Sequence, residues 1–285
     1  MMDTLFIDND GREYGAEDVA QILRGVGAHD CDNLFIHSDI IFGKTPAGFN
    51  RREYLGILFD VLNSLGVKNI IVPTFTYSFC NNEIFDVNKS KTSMGALNEY
   101  IRKQEGRYRS LDPLLSISVP MALKDKFSSV SNHSLGKGSG LDVVHHLGGV
   151  KFLFLGVPMG VCFTYLHYIE KMLDVPYRFD LPFDGELIDY DGNQIKKTQY
   201  IHTACYGVKP KDFYHFEDYL EGIGKMKKER IGDKYVECVT EEDAYEEIVN
   251  MIHKDINYFL EQPFTEADLE HKYTKGLDGE KITHC

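Results

Sequence analysis

The chain has 285 residues, a formal net charge of −13 at pH 7 and a hydrophobic fraction of 43%. This length and hydrophobicity are typical of a globular protein that buries a large core, and the negative charge argues against a nucleic-acid partner. The same acidic balance is compatible with a cationic small-molecule substrate.

Nothing in the sequence indicates a membrane segment, a leader or a metal centre. No apolar run approaches the roughly 18 residues of a spanning helix, and the N-terminus lacks the basic and apolar regions of a signal peptide. None of the six cysteines forms a C-x-x-C pair, so neither a zinc site nor a disulfide framework is indicated. We therefore expect a cytoplasmic protein with reduced thiols and no bound metal.

Strands and helices are predicted to alternate through residue 175. Short apolar runs indicate buried strands, and apolar residues at helical spacing indicate helices. The predicted strands are 34–37, 69–73, 115–119 and 152–155, and the predicted helices are 51–65, 94–102 and 141–147. This alternation predicts an α/β fold in which a central mixed, partly parallel sheet is flanked by helices.

The second half of the chain has a different pattern. Residues 187–195 contain the Asp191-Gly192 dipeptide, which is a hairpin signal. Residues 240–260 have helical spacing, and 265–285 read as a charged peripheral tail. Since no linker or repeat interrupts the sequence, we expect a single domain over 1–285 with an elaborated second half.

Thr164, His167 and Glu170 are spaced three apart, directly after a predicted strand. On a helix this spacing places a hydroxyl, an imidazole and a carboxylate on one face. A histidine oriented by a carboxylate is suited to general-base catalysis. The alternative is a structural histidine bonded to its own helix, and this stretch alone leaves both open.

Other candidate groups carry weaker signals. Cys162 could be a nucleophile, but on a helix its side chain would point about 140° away from that of His167. The remaining histidines are either isolated, as His133 and His202 are, or adjacent and turned about 100° apart on a helix, so no metal site is assigned. A cation and hydroxyls surround a proline turn at 109–116, where they either bind an anion or cap the turn.

Six segments in chain order carry a family resemblance. They are 35–38 with Gly43, 72–76, 85–97, 109–116, 138–139 and 152–170. Together they resemble the aminoglycoside 3-N-acetyltransferase family, whose patterns include "Pro-Thr-Phe-Thr" and "Thr-x-x-His-x-x-Glu". The chain departs from the family at Asp39, which replaces a serine, and at Asp112, which replaces a histidine. Residues 177–185 are more similar to relatives in cell-surface sugar biosynthesis.

The resemblance implies an acyl-coenzyme A-dependent N-acyltransferase that attaches an acetyl or other acyl group to the amine of an amino sugar. His167 would be the general base, with Glu170 as its orienting carboxylate, although the acidic residues Asp180 and Asp184 are alternatives. The hydroxyl of Thr164, Thr76 or Ser110 would donate to the oxyanion that forms on the thioester.

The resemblance also suggests residues for each ligand. The expected coenzyme-binding residues are Ser38, Thr76, Arg109, Ser110 and Ser116, and the expected acceptor-binding residues are Asp39, Asp112 and Asp184. The first expectation for the acceptor is an amino sugar of cell-surface biosynthesis. The alternatives are an aminoglycoside antibiotic and, third, a non-catalytic carbohydrate- or coenzyme-binding module. The sequence leaves the oligomeric state open.

Overall fold

A computed structural model describes residues 3–270. Within that range the strands are β1 (Phe6–Ile7), β2 (Glu13–Tyr14), β3 (Asn33–Ser38), β4 (Asn69–Pro73), β5 (Phe85–Asp86), β6 (Arg107–Arg109), β7 (Ile117–Pro120), β8 (Val150–Leu155), β9 (Arg178–Ile188), β10 (Gln194–Ala204), β11 (Met226–Ile231) and β12 (Lys234–Thr240). The helices are α1 (Ala16–Gly25), α2 (Arg51–Ser64), α3 (Ala96–Arg102), α4 (Lys124–Phe127), α5 (Gly140–His145), α6 (Met159–Cys162), α7 (Tyr165–Met172), α8 (Tyr214–Gly222), α9 (Glu241–Lys254) and α10 (Glu266–Glu270). None of these helices is both long and apolar enough to cross a membrane.

The main sheet has seven strands in the order β11-β12-β8-β3-β4-β7-β6. The central strands β8, β3 and β4 run parallel, whereas β12 and β7 pair antiparallel on either side of them. The prediction of a mixed, partly parallel sheet flanked by helices is therefore confirmed. Because the carboxyl ends of β3, β4 and β8 lie at one edge, loops after these strands meet there.

Helices cover both faces of this sheet. Along β3, Leu34 and Ile36 face a core that also contains residues of α1, α2 and α3. Phe35, between them, faces a second core with residues of α5, α7, α8 and α9. The continuous apolar strands follow from this arrangement, since a strand buried on both faces needs apolar side chains at every position.

The hairpin predicted around Asp191-Gly192 is present as β9 and β10. These strands pair antiparallel along their whole length, with His202 opposite Asp180, and β5 extends the sheet on the other side of β9. The turn is stabilised by the Asp189 carboxylate, which accepts the backbone N–H groups of Asp191 and Asn193 at 2.9 and 2.8 Å. This hairpin supplies one side of the candidate site.

Several predicted boundaries differ from the structure by one or two residues, and one differs by more. The helix predicted over 240–260 ends at Lys254, because Asp255 has an extended backbone (φ −148°, ψ 106°). Part of the predicted tail, 265–270, contains the exposed helix α10, and 271–285 lie outside the described residues.

Candidate active site

His167 and Glu170 lie on α7, which follows β8 after a turn that contains the short helix α6. Their spacing brings the two side chains together, with Nδ1 of His167 2.7 Å from Oε2 of Glu170. Leu166 and Ile169 of the same helix are buried in the core. The amphipathic pattern of α7 therefore fixes the direction in which the imidazole and carboxylate point.

Glu170 is held in place by the beginning of β9. The hydroxyl of Tyr177 donates to Oε1 of Glu170 at 2.9 Å, and Nε of Arg178 lies 2.6 Å from Oε2. The side chains of Glu170 and Arg178 are only 2% and 3% exposed. A buried carboxylate needs such partners to remain charged.

The electrostatics determine the protonation of His167. Burial alone would raise the pKa of Glu170, but Arg178, His167 and Tyr177 outweigh it and lower that pKa to about 2. Burial and the Arg178 charge lower the pKa of His167. At neutral pH the proton therefore lies on Nδ1, which donates to ionised Glu170, and Nε2 keeps a lone pair that can accept a proton.

The turn before α7 is positioned by two buried carboxylates. Oε2 of Glu237 accepts the backbone N–H of Met159 at 3.0 Å, and a carboxylate oxygen of Glu217 accepts that of Gly160 in a short hydrogen bond. Lys228 neutralises Glu237 at 2.8 Å. Gly160 is needed here, since an added Cβ would lie 2.9 Å from a Glu217 oxygen. The start of α7 is thereby anchored to β12 and α8.

A cavity of about 730 Å³ opens beside the carboxyl ends of β3 and β4. Its lining includes His37, Ser38, Arg51, Tyr54, Asn98 and Cys162. His167 is not part of this lining, but Cys162 lies in the turn that leads to it. This position, outside the carboxyl ends of parallel strands, is where α/β proteins commonly bind ligands.

His37 is the histidine in this cavity, and it is not suited to be a base. Its ring stacks on Phe154 with centroids 5.3 Å apart, and burial lowers its pKa to about 3. Burial is the only cause of the lowered pKa of His37. A carboxylate partner, such as Glu170 is for His167, would raise that pKa again. His37 is therefore not a candidate general base.

Comparison with known proteins identifies the family. A family model described as aminoglycoside 3-N-acetyltransferase matches residues 51–253. The chain belongs to this family. The predicted family is thus confirmed, and so is the prediction that the protein is an N-acyltransferase.

Solved aminoglycoside acetyltransferases have the same fold. The apoenzyme of AAC(3)-IVa is 19% identical, with a TM-score of 0.67 over 87% of this chain and 92% of that chain. AAC-IIIb in a binary complex with CoASH is 18% identical (TM-score 0.67; 88% and 98% covered), and AAC-VIa bound to sisomicin is 16% identical (TM-score 0.70; 85% and 98% covered). No curated protein matched the chain in sequence comparison.

Three of the residues suggested by the family resemblance have structural roles. Arg109 donates to Ser116 Oγ at 3.0 Å and to the carbonyl of Thr74 at 2.6 Å. Its guanidinium lies over the buried ring of Phe85. The hydroxyl of Ser110 accepts the N–H of Ile117 at 2.9 Å. Arg109, Ser110 and Ser116 are almost completely buried. They join β6 and β7 to β4, so the turn-cap alternative applies, and we do not retain them as coenzyme-binding residues.

Thr76 and Asp112 also lie in the interior. The Thr76 hydroxyl donates to the carbonyl of Pro113 at 2.8 Å. Asp112 is 1% exposed, and its Oδ1 accepts the N–H groups of Leu114 and Leu115 and the hydroxyl of Ser134. Burial raises the pKa of Asp112 despite those hydrogen bonds. Asp112 organises its own loop, and a substrate-binding role for it is not retained.

The other predicted residues lie at the surface or at the cavity. Ser38 lines the cavity and donates to Oδ1 of Asn98 at 3.1 Å. Asp39 also lines it but is paired with Lys234. Asp184 is exposed on β9 and accepts the Thr198 hydroxyl at 2.6 Å. Of the predicted coenzyme-binding residues, Ser38 is the one in the cavity lining.

Cys162 is not an activated nucleophile. Its thiol donates to the carbonyl of Pro158 at 3.3 Å, and burial together with Glu237 and Glu217 raises its pKa. A reactive cysteine needs the opposite shift, since the thiolate is the nucleophile. This environment is that of a cysteine that packs in the protein interior rather than of a nucleophile.

Three site residues were not assigned from the sequence: Tyr177, Arg178 and His202. The available signal was the alternation along the predicted hairpin, where Arg178 and Asp180 face the same side of β9. His202 lies opposite Asp180 on β10. Pairing these strands in register would have linked the isolated histidine to a carboxylate.

Proposed function

We propose that this chain transfers an acetyl group from acetyl-coenzyme A to an amine of an aminoglycoside-type amino sugar, with His167 as general base. The observation that carries the proposal is the hydrogen bond between Nδ1 of His167 and Oε2 of Glu170. It leaves Nε2 as the free basic atom of a histidine that is neutral at physiological pH. Family membership supports the same reaction class.

The surroundings of His167 suit transient proton uptake. An amine that attacks a thioester must lose a proton as the new bond forms, and a positioned base contributes about 10²–10⁴ to the rate of such steps. Glu170 stabilises the imidazolium that results. Arg178 keeps Glu170 ionised, so the carboxylate orients the ring without taking its proton.

Thr164 is the proposed donor to the thioester oxyanion. It directly precedes α7, and its carbonyl accepts the N–H of His167 at 3.0 Å, so the two residues are one helical turn apart. The competing hydroxyl of Thr76 already donates to a backbone carbonyl, and that of Ser110 is fully buried. An oxyanion requires donors that are in place before the reaction.

The coenzyme is proposed to occupy the cavity beside β3 and α2. A volume of about 730 Å³ is within the range of ligand sites. Arg51 begins α2, and the positive end of the helix dipole adds to its charge, which suits the phosphates of coenzyme A. Ser38 and Asn98 offer polar contacts deeper in the lining. The binary complex of AAC-IIIb with CoASH supports the choice of coenzyme A as the ligand of this cavity.

We expect Arg51→Ala to weaken coenzyme A binding by about tenfold, because one charge-assisted hydrogen bond to phosphate is lost. Isothermal titration calorimetry with coenzyme A measures the change. Arg52→Ala is the matched control, since Arg52 is the next residue on α2 but does not line the cavity. Equal dissociation constants for the two variants would contradict the placement of the coenzyme A phosphates beside Arg51.

The acceptor is proposed to be an aminoglycoside, which was the alternative in the sequence analysis. The sisomicin complex of AAC-VIa and the gentamicin complex of an AAC(3)-IVa mutant support it over a cell-surface amino sugar. The segment 177–185 had favoured the latter. In the structure Tyr177 and Arg178 from this segment contact Glu170. The residues of this segment are therefore explained by their support of the proposed base, and they do not indicate which acceptor binds.

A screen of acceptors tests the function. Thiol release from acetyl-coenzyme A is followed with sisomicin, gentamicin, glucosamine and a nucleotide-linked amino sugar at equal concentration. We expect the highest kcat/KM with an aminoglycoside. A higher value with the nucleotide-linked sugar would favour the biosynthetic role, and no release with any amine would favour a non-catalytic binding module.

A further inference from the structure

A second histidine–carboxylate pair lies beside the first. Nδ1 of His202 is 2.9 Å from Oδ1 of Asp180, in the cross-strand pair of β9 and β10. His202 is only 3% exposed, and its Nε2 has no hydrogen-bond partner among residues 3–270. Buried polar atoms are normally hydrogen-bonded, so an unpartnered acceptor in such a place requires an explanation.

The protonation state of His202 follows from its partner. Burial would raise the pKa of Asp180, but the hydrogen bonds from His202 and Lys171 outweigh it and lower that pKa. Asp180 is therefore ionised and accepts the Nδ1 proton. Since burial also lowers the pKa of His202, the ring is neutral and Nε2 carries a lone pair. This is the same arrangement as that of His167 on Glu170.

Arg178 connects the two pairs. Its Nε lies 2.6 Å from Glu170, and its Nη1 donates to the backbone carbonyl of His202 at 3.1 Å. Lys171, next to Glu170 on α7, reaches Oδ2 of Asp180 at 2.9 Å. A positive charge on His202 lowers the pKa of His167, so the two rings are close enough to interact electrostatically. Arg178 and Lys171 therefore link the two histidine–carboxylate pairs.

The chemistry of an amino-sugar acceptor requires two proton acceptors. At neutral pH the amine is an ammonium with three N–H bonds, whereas the amide product has one. The first proton must leave before the nitrogen has a lone pair, and the second leaves as the N–C bond forms. When the C–S bond breaks, the coenzyme A thiolate takes one of these protons, and the other is released to solvent. A single histidine can hold only one of them at a time.

We propose that His202 takes the first proton of the acceptor ammonium at Nε2 through one water molecule, and that His167 takes the second. This role rests on the proposed function. His167 then passes its proton to the coenzyme A thiolate, and the proton on His202 leaves to solvent. Asp180 and His133, whose side chains are 24% and 39% exposed and 3.1 Å apart, border the solvent side of His202.

The charges around His202 favour transient rather than permanent protonation. Asp180 stabilises the imidazolium, whereas burial and the cations of Arg178 and Lys171 oppose it. The titratable groups that surround the ring are His133, His167, Glu170, Lys171, Arg178 and Asp180. A group that is charged only briefly needs this balance, because a stable imidazolium would not release its proton.

The test is His202→Gln, which keeps a polar side chain that cannot accept a proton. With sisomicin at pH 7 we expect kcat/KM to fall by about 10²-fold, a typical effect of removing a general base. The loss should shrink steadily as the pH rises toward the pKa of the acceptor amine. It should also be small, at any pH, for an acceptor amine whose pKa lies below the assay pH, since that amine arrives already neutral.

His215→Gln is the matched control, because Nε2 of His215 is also buried and without a partner among residues 3–270, but its ring packs on Tyr258 and Phe259. It should leave kcat/KM unchanged. If His202→Gln loses the same factor at every pH and with both classes of amine, His202 is structural and the proposal is overturned. Unchanged activity in His202→Gln overturns it as well.

Asp180→Asn is a second variant in case His202→Gln does not fold. It removes the charge that stabilises the His202 imidazolium, so it should show the same recovery at high pH, and absence of recovery contradicts the proposal. An inactive wild-type protein would contradict the proposed function instead, so the two failures are distinguishable. Thermal melting with and without acetyl-coenzyme A checks that each variant is folded.

Discussion

His167→Ala is expected to lower kcat by about 10²–10⁴ while the dissociation constant for coenzyme A stays unchanged. The variant removes the atom that takes the second proton of the amine. It does not touch the cavity beside β3 and α2, whose lining lacks His167. Steady-state thiol release and calorimetric titration with coenzyme A measure the two quantities on the same preparation.

Two comparisons make this result specific. His37→Gln is a useful contrast, because His37 is buried in the cavity and stacks on Phe154 but lacks the carboxylate that Glu170 provides for His167. Its effect should appear in coenzyme binding rather than in kcat. High pH should not restore His167→Ala, since deprotonating the free amine replaces only the first proton transfer. A fully active His167→Ala enzyme would contradict the role of His167 as general base.

Glu170→Ala is expected to lower the free energy of unfolding by about 3–5 kcal/mol, the usual cost of breaking a buried ion pair from one side. The guanidinium of Arg178 would lose its carboxylate partner while remaining 3% exposed. The hydroxyl of Tyr177 would lose its acceptor as well. Urea unfolding at pH 7 measures the change.

Lys68→Ala is the control for Glu170→Ala, because it removes an ion pair that is open to solvent. Lys68 and Asp32 are 2.8 Å apart with side chains 71% and 56% exposed, so the loss should be at most about 1 kcal/mol. Similar losses in the two variants would show that the Glu170–Arg178 pair contributes no more than a surface pair.

The same pair predicts how stability depends on pH. Glu170 has a folded-state pKa of about 2, whereas an unfolded glutamate titrates near about 4.3. A depressed carboxyl pKa adds stability above the unfolded value and loses it as the pH falls through the folded value. His167 acts in the same direction, because its lowered pKa makes the unfolded chain the better proton acceptor below about 6.5. In Glu170→Ala the part of this acid sensitivity that Glu170 contributes, below about pH 4.3, should be lost.

The sequence was sufficient to predict the mixed sheet and its flanking helices, and it placed Glu170 first among several possible carboxylate partners of His167. Continuous apolar strands and a spacing of three on a helix are local patterns, and the packing of α7 preserves them. The presence of the hairpin was also predictable, because an Asp-Gly dipeptide between two strands is a turn signal, although it did not determine the register of the strands. These features depend on neighbours in the chain.

The contacts that complete the site were not predictable in the same way. Arg109 resembles an anion-binding residue in sequence, but its partners are carbonyls of Thr74 and Ser90 that only the folded sheet brings near. His202 was read as an isolated histidine because its carboxylate lies across a strand pair rather than along the chain. Burial and long-range pairing decide such roles, and neither is visible in residue spacing.

The reaction itself gives the most direct test of the proposed function. Wild-type protein is incubated with acetyl-coenzyme A and sisomicin, and both the released thiol and the mass of the aminoglycoside are followed over time. We expect one equivalent of mono-N-acetylated sisomicin for each equivalent of thiol, with almost none of either in His167→Ala. Thiol release without an acetylated product, or equal product from His167→Ala, would contradict acyl transfer to an amine with His167 as its base.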